Sequence, residues 1–524
     1  MTPLASDTSS APASGWVETV HLRPPSLDDN TSDADRLSDA LKKRLNTDRV
    51  RIDLALLRRL PFQLRTCAFA VRCALFRDGS RWILIDVSAA TDSVRFAGLA
   101  VDLGTTRVVA RLVDLLSGRV LNEASFDNPQ RSVGSDILSR IHYAEKTGHG
   151  LEQLRHSLVT AVNRHIRDLC RRSGRRPADV CLVSLAGNTT MSHLFAGVAP
   201  RWMIREPYIP VFNRPGLFRA SDLDLEANAG ARVYIFPNSG SYVGGDVVAG
   251  ILHAGMGRAP ETALLVDVGT NAEVVVGNQE WMVACAGAAG PALEQGVTRM
   301  GMMAESGVID RVAIDPASGG FRIHVIGDQP PRGICGSGLI DLAAHLFLNK
   351  MIDIRGRLVP SNCGPRLRED GGSAALEIVA ADQTADGKPL VIAQPDLDSL
   401  IRSKAAMYTI LETITEIVGL RPRDLTRFYV AGTFGAFIDP RSAITIGMLP
   451  DLSLNAYVSL GNSSLEGASR LLSQRESLEE IDRITQRITY VELNVNQDFM
   501  NRFSAAKFIP HTDRSLFPSV NGPE

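Results

Sequence analysis

The residues most suited to chemistry in this sequence lie in a short pattern, Asp-x-Gly-Thr, that occurs twice. The first copy spans residues 102–105 and the second spans residues 267–270, so the Asp, the Gly and the Thr each recur 165 residues later. Glycine lets the backbone approach oxygen atoms closely, and the threonine hydroxyl is a compact hydrogen-bond donor. A carboxylate can hold Mg²⁺, usually through water, and the metal then bridges phosphate charge. The pattern therefore predicts two phosphate-binding turns, with Asp102 and Asp267 as metal-binding residues.

Each turn requires a strand on either side to hold it in place. Apolar residues at 97–101 and 263–266 predict strands that end at the two aspartates, and those at 108–113 and 274–276 predict strands that return antiparallel. One isolated copy is explained equally well as an ordinary hairpin turn. Two copies in register favour a pair of hairpins that face each other and clamp a polyphosphate.

Further glycine-rich stretches and one acid could complete such a site. Residues 333–338 precede a helical pattern, and residues 430–437 contain Gly-Thr-Phe-Gly after an apolar run. Such turns can offer N–H groups to a phosphate or let an adenine ring lie on the backbone, but they also suit tight turns or close helix packing. Asp246 follows two glycines and precedes an apolar helix. It either caps that helix or points into the cleft and orients a water molecule or the metal shell.

Composition excludes several classes of protein. The 524 residues carry 56 Lys and Arg against 58 Asp and Glu, so a net charge of -2 gives no long-range attraction to nucleic acid or to an anionic membrane. No apolar run approaches the roughly 20 residues that cross a bilayer. The seven cysteines are dispersed and contain no Cys-x-x-Cys pair. This spacing predicts no iron–sulfur cluster and no structural zinc in the chain, and it favours the cytoplasm.

The longer motifs resemble a known family. Two Asp-x-Gly-Thr hairpins in tandem halves resemble the fold shared by actin, sugar kinases and the heat-shock ATPase chaperones (ASKHA). More specifically, several stretches resemble the reductive activators of corrinoid proteins. They are residues 98–106, 186–191, 267–273, 333–338 and 490–520, together with 51–54 and 57–61, which resemble that family's middle domain.

The resemblance implies an α/β fold with a duplicated, two-lobed ASKHA ATPase preceded by a small α/β middle domain. We expect a disordered tail at 1–35, the middle domain at 36–95, the first lobe at 96–260 and the second lobe at 261–524. The resemblance also implies that ATP hydrolysis drives electron transfer to a Co(II) corrinoid protein. This step restores the Co(I) form that accepts methyl groups in a cobalamin-dependent methyltransferase system.

Carried over by motif, the resemblance assigns residues to ATP and Mg²⁺. Asp102, Asp246 and Asp267 are the expected catalytic residues, the first and third of them also holding the metal. The expected ATP-binding residues are Gly104, Thr105 and Thr106 in the first loop, Gly269, Thr270 and Asn271 in the second, Gly336, Ser337 and Gly338 beside the nucleotide, and Gly432, Thr433, Phe434 and Gly435 at the adenosine.

One departure from the family pattern affects the function. Typical activators begin with a ferredoxin-like [2Fe-2S] domain, and the cysteine spacing here offers no such cluster. We therefore expect a separate electron donor, a corrinoid protein as the partner and, by family analogy, a homodimer. Two alternatives use the same fold: a small-molecule kinase, in which Asp246 would serve as the catalytic carboxylate, and an ATP-driven binding or chaperone module without redox chemistry.

Overall fold

The computed structural model describes residues 2–3, 15–91, 96–146, 148–269, 272–287, 298–315, 319–432, 438–493 and 499–520. Contacts divide the chain into two compact units. The N-terminal unit comprises residues 7–253 and 463–486, and the C-terminal unit comprises residues 1–6, 254–462 and 487–524.

Strands, often several in succession, are interspersed with helices along the chain. The strands in chain order are β1 (Thr2–Pro3), β2 (Val17–His21), β3 (Val50–Ile52), β4 (Ala70–Asp78), β5 (Arg81–Ala89), β6 (Ala97–Leu103), β7 (Arg107–Asp114), β8 (Val120–Asp127), β9 (Val180–Ala186), β10 (Leu217–Arg219), β11 (Arg232–Ile235), β12 (Ala263–Val268), β13 (Ala272–Gly277), β14 (Met282–Gly287), β15 (Val308–Ile314), β16 (Phe321–Val325), β17 (Gly333–Ile334), β18 (Leu367–Asp370), β19 (Ser373–Val379), β20 (Leu390–Ala393), β21 (Arg427–Ala431), β22 (Tyr457–Gly461) and β23 (Ile488–Tyr490).

The α-helices of the described residues are α1 (Asp33–Leu45), α2 (Leu54–Leu57), α3 (Leu60–Thr66), α4 (Ile137–Lys146), α5 (Gly150–Arg172), α6 (Thr189–Ala196), α7 (Gly245–Ala254), α8 (Gly336–Leu348), α9 (Pro360–Cys363), α10 (Gln394–Ile417), α11 (Pro440–Thr445), α12 (Ser463–Ser473), α13 (Ser477–Arg487) and α14 (Phe499–Ala505). In this part of the chain, no helix is both long and apolar enough to cross a bilayer.

The N-terminal unit is built on a six-stranded sheet with the order β10-β11-β9-β6-β7-β8. Strands β6, β7 and β8 form an antiparallel meander, β9 is parallel to β6, and β11 is parallel to β9. A four-stranded sheet of order β2-β4-β5-β3 precedes it in the chain.

The C-terminal unit repeats this arrangement in its seven-stranded sheet, whose order is β1-β22-β21-β12-β13-β14-β23. Here β12, β13 and β14 form the antiparallel meander, β21 is parallel to β12, and β22 is parallel to β21. Two three-stranded sheets, β16-β15-β17 and β18-β19-β20, are added to this unit. The shared order of five strands confirms the predicted duplicated α/β fold.

Strand β6, which carries the first phosphate turn, is covered on both faces. Leu99, Val101 and Leu103 belong to a buried apolar cluster that includes Leu158 of α5. On the other face, a β-carbon on Gly98 would lie 2.9 Å from the Leu472 side chain of α12. A strand buried on both faces reads as a continuous apolar run, which is why the sequence marked this one clearly.

Part of the predicted disordered tail at 1–35 is wrong in this structure. Strand β2 pairs antiparallel with β4, and Trp16 is fully buried, with its indole N–H donating to the Leu471 carbonyl at 2.7 Å. Helix α1 already begins at Asp33, where the Ser32 side chain accepts the Asp35 N–H. Polar residues around a short edge strand concealed it in the sequence, because only alternate positions of such a strand face the core.

The second lobe, predicted over 261–524, also differs from the contact-defined units. Residues 463–486 pack with the N-terminal unit, and the chain then returns to the C-terminal unit. The reason is apolar burial: Leu465, Ala468 and Leu471 of α12 are buried, and this helix lies against β6 and β9.

Candidate functional site

The first Asp-x-Gly-Thr turn connects β6 to β7, as the sequence predicts. Asp102 stands one residue before the end of β6, opposite Val109 of β7. A β-carbon on Gly104 would lie 2.2 Å from the Arg107 carbonyl oxygen, far inside the contact distance of two atoms. The turn therefore requires glycine at this position, and it leaves open backbone where a side chain would otherwise stand.

Three side chains from distant parts of the chain fix this turn. Asn128 donates its amide N–H to the Gly104 carbonyl at 2.9 Å, and Arg140 donates to the Thr105 carbonyl at 2.6 Å. Asn188 donates to the Thr105 hydroxyl at 3.0 Å. Gly104 and Thr105, the residues predicted to bind phosphate, are thus held by three side-chain hydrogen bonds. Such support is what a pre-organised binding turn requires.

Asp246 lies in the first turn of α7 and accepts the Val247 N–H at 2.8 Å. Gly244 packs tightly here, since a β-carbon on it would lie 2.4 Å from the Asn188 Cα and 2.5 Å from an Asp246 carboxylate oxygen. Removal from solvent raises the pKa of Asp246 to about 7, and the negative charge of Asp102 adds to the rise. The structure therefore brings these two predicted acids into electrostatic contact.

The second turn follows β12 in the C-terminal unit. Asp267 pairs with Glu273 of β13 and with Ala431 of β21. Gly432, the residue after β21, has a positive φ of 86°, and a β-carbon on it would lie 3.0 Å from an Asp267 carboxylate oxygen. The predicted residues Asp267 and Gly432 are thus adjacent, and Gly269 continues the turn. Thr270, Asn271, Thr433, Phe434 and Gly435 lie outside the described residues.

The predicted nucleotide-supporting residues at the start of α8 are almost completely buried. The Ser337 hydroxyl donates to the Asp310 carbonyl at 3.1 Å, and a β-carbon on Gly338 would lie 2.7 Å from the Ile309 carbonyl. Gly336 is the first residue of α8 and follows shortly after the end of β17. These contacts describe close packing of α8 on β15, the alternative that the sequence left open, so a direct contact with ATP stays a prediction.

The residues of the first turn fit Mg²⁺ together with a polyphosphate. Two mutually repelling carboxylates, Asp102 and Asp246, lie beside a glycine turn with no room for a side chain. In the part of the chain that the structure describes, no three His, Cys, Asp or Glu side chains converge as a complete metal site. Mg²⁺ in nucleotide sites commonly takes one or two carboxylates and completes its shell with phosphate oxygens and water.

Sequence reasoning missed two residues of the first turn, Asn128 and Arg140. Asn128 follows the end of β8 and Arg140 lies within α4, at sites with no motif in the sequence. Asn188 lies in the stretch 186–191 that resembles the family, but nothing in the sequence indicates its contact with Thr105. Only the pairing of β6 with β9, whose end precedes Asn188, brings that side chain to the turn.

The duplicated sheets and the glycine turns define an ASKHA protein, the class that contains actin, sugar kinases and heat-shock ATPase chaperones. Family models match three successive regions of the chain. They are described as the RACo linker region at residues 13–92, the RACo middle region at 97–259, and the C-terminal ASKHA domain of RACo at 261–521. The chain belongs to the RACo family, the reductive activators of corrinoid proteins.

Known proteins of this family are similar over most of the chain. The corrinoid activation enzyme RamQ of Eubacterium limosum is 31% identical over 413 residues, which are 78% of this chain and 69% of RamQ. The [Co(II) methylated amine-specific corrinoid protein] reductase of Methanosarcina barkeri is 26% identical over 75% of this chain and 73% of its own length. The solved structure of a reductive activator for corrinoid, iron-sulfur protein is 37% identical, covers 99% of this chain and 83% of its own, and superposes with a TM-score of 0.88.

Proposed function

We propose that this protein uses ATP to drive the reduction of a corrinoid protein from Co(II) to Co(I), with the electron supplied by a separate donor. The observation that carries the proposal is the first turn, in which Gly104 and the acid pair Asp102 and Asp246 form a cradle suited to Mg²⁺ and phosphate. The names of the relatives support the cobalt chemistry, since one is a Co(II) corrinoid protein reductase and two are activators.

The residues of the two turns would divide the work on ATP. Backbone N–H groups at Gly104 to Thr106 would bind phosphate oxygens, and Asp102 and Asp267 would hold Mg²⁺, which neutralises phosphate charge when bound. Asp246, with its pKa raised to about 7, would orient the attacking water beside Asp102. Because Gly432 has no side chain, adenosine would have room to lie against the backbone near Asp267.

Coupling to ATP would supply what the redox step needs. Reduction of Co(II) to Co(I) takes one electron from the donor and is uphill for ordinary cellular reductants. Binding and hydrolysis of ATP would alter the surface offered to the corrinoid protein, which changes the cobalt environment during the encounter. We place this reaction in the cytoplasm, and the homodimer stays a prediction.

The test follows cobalt absorption after purified protein is mixed with a Co(II) corrinoid protein, a low-potential reductant, ATP and Mg²⁺. We expect Co(I) to form with ATP and to be absent without it. Asp267→Ala should abolish the ATP-dependent signal, whereas Asp382→Ala, which removes an exposed acid from the same unit, should retain it.

Other outcomes would select the alternatives. ATP turnover with no Co(I) across several corrinoid proteins would contradict the proposal. A phosphorylated product after a separate incubation with candidate alcohols would then identify a small-molecule kinase. Turnover stimulated by a protein partner without redox change would identify a binding module.

A further inference from the structure

One of the side chains that hold the first turn is a buried guanidinium. The Arg140 side chain on α4 is fully buried and spreads its donors over four neutral acceptors. It donates to the Gly134 carbonyl at 3.0 Å, to the Gln130 amide oxygen and the Met191 sulfur at 3.2 Å each, and to the Thr105 carbonyl at 2.6 Å. One arginine therefore joins the phosphate turn to residues 130–134 and to α6.

The electrostatic environment of Arg140 is unusual for a buried guanidinium. Among the described residues Arg140 forms no salt bridge, and Asp136, the acid whose charge it feels, is bonded to Ser139 instead. Burial lowers the pKa of Arg140 to about 10, so the side chain still carries its charge at neutral pH. A buried charge without a partner is costly, and proteins normally pair it. Arg232, also buried in this unit, is paired with Asp53.

The bond to Thr105 has a geometric consequence for the next residue. The carbonyl of Thr105 and the N–H of Thr106 belong to one planar trans peptide, so they point in opposite directions. Holding the carbonyl toward Arg140 turns the Thr106 N–H away from it. The positively charged guanidinium bonded to the Thr105 carbonyl also polarises the peptide, which makes the Thr106 N–H a stronger donor.

We propose that Arg140 is a positioning residue for phosphate: it orients the Thr106 N–H toward the polyphosphate of ATP and adds a buried positive charge that favours a bound anion. The inference rests on the proposed function, in which this turn binds ATP. It assigns phosphate selectivity to a side chain that does not touch the ligand.

The test compares three probes by calorimetry in the full chain: Mg²⁺-bound non-hydrolysable ATP, Mg²⁺-bound pyrophosphate, and adenosine. Arg140→Gln should weaken the two phosphate ligands by about tenfold or more, the usual effect of a lost charge-assisted hydrogen bond. Adenosine affinity should change less than about twofold, since the predicted adenosine contact lies elsewhere in the chain. A purely structural role would weaken all three probes alike.

Matched variants keep the result decisive. Arg140→Lys retains the charge but cannot span four acceptors, so it should bind pyrophosphate about threefold more weakly and adenosine normally. It decides the question if the glutamine variant does not fold. Arg232→Gln, which removes a buried arginine distant from the turn in sequence, should lower thermal stability without changing the ratio of pyrophosphate to adenosine affinity.

Two results would overturn the inference. Unchanged pyrophosphate binding in the folded Arg140 variants, or an equal loss for adenosine, would exclude a phosphate-positioning role while leaving the proposed function intact. A wild-type protein that binds neither the ATP analogue nor pyrophosphate would overturn the proposed function itself, and this inference with it.

Discussion

At the scale of single residues, the first turn depends on Gly104. A β-carbon added to Gly104 would lie 2.2 Å from the Arg107 carbonyl oxygen. This oxygen belongs to the backbone and cannot rotate away as a side chain could. Gly104→Ala should therefore shift the turn and weaken Mg²⁺-ATP binding by about tenfold or more. Binding is measured by calorimetry against Gly148→Ala, an exposed glycine with open space around it. Equal affinities in the two variants would contradict this role.

His193 is a second residue with a testable property, because it is buried in its neutral form. Its Nδ1 bonds to the Thr189 carbonyl at 2.7 Å, its Nε2 accepts the Val211 N–H at 3.2 Å, and its ring stacks on Phe212. Protonation of Nε2 would place its new N–H directly against the Val211 N–H. Burial accordingly lowers the pKa of His193 below its usual value of 6.5.

This lowered pKa fixes the sign of a pH dependence. Below about pH 6.5 the unfolded chain binds a proton that the folded chain refuses, so stability falls as the pH drops, by at most about 1.4 kcal/mol per pH unit for one proton. His193→Gln should be less stable than wild type at pH 7.5 but should lose less on transfer to pH 5.5. Urea unfolding at both values measures this, with exposed His142→Gln as the control. Parallel losses in wild type and His193→Gln would contradict it.

The recurring pattern predicted Asp102, Gly104 and Thr105 as residues of the first turn, but it did not predict the side chains that hold the turn. Asn128 and Arg140 are 24 and 35 residues from their acceptors on the turn. Nothing local marks them, since an asparagine after a strand and an arginine in a helix are ordinary surface residues. Contacts of this kind depend on tertiary structure and are invisible to spacing.

At the scale of elements, the contact between α12 and α7 depends on one glycine. A β-carbon on Gly467 would lie 2.1 Å from the Ala249 carbonyl, so the two helices meet backbone to backbone. Alanine normally stabilises a helix relative to glycine. Gly467→Ala should nevertheless destabilise the protein by about 1–3 kcal/mol, the usual cost of overpacking. Chemical denaturation compares it with Gly148→Ala, and a more stable Gly467→Ala protein would exclude the contact.

Elements were predictable where burial gives a strong pattern and missed where it does not. Strands β6 and β12 are continuous apolar runs with the same ending, and both occur as expected. Strand β2 is short and mostly polar, with Val20 as its one buried residue, so its composition resembles that of a disordered tail. Its position became clear only through its pairing with β4.

At the scale of the whole molecule, the internal repeat predicted a duplicated architecture, and five strands in each unit follow the same order. The repeat could not reveal that residues 463–486 complete the N-terminal unit. Which sheet a helix covers depends on tertiary packing, and the apolar residues of α12 do not by themselves identify the sheet formed by β6 and β9. Family membership, in contrast, could be predicted from the sequence, because the long motifs are continuous stretches whose residue types and spacing suit phosphate binding.

The position of α12, which belongs to the N-terminal unit but follows most of the C-terminal unit in the chain, has a consequence for synthesis on the ribosome. During synthesis, one face of β6 and the indole of Trp16 stay uncovered until α12 has been made, because Leu472 and Leu471 of that helix contact them. The 209 residues 254–462 are synthesised between the two parts of the N-terminal unit. At about 5–20 residues per second, this delay lasts roughly 10–40 seconds. The nascent chain thus presents an apolar surface on the ribosome for that time, which makes it a natural client for the chaperones that bind such surfaces. The N-terminal unit matures only when translation is nearly finished.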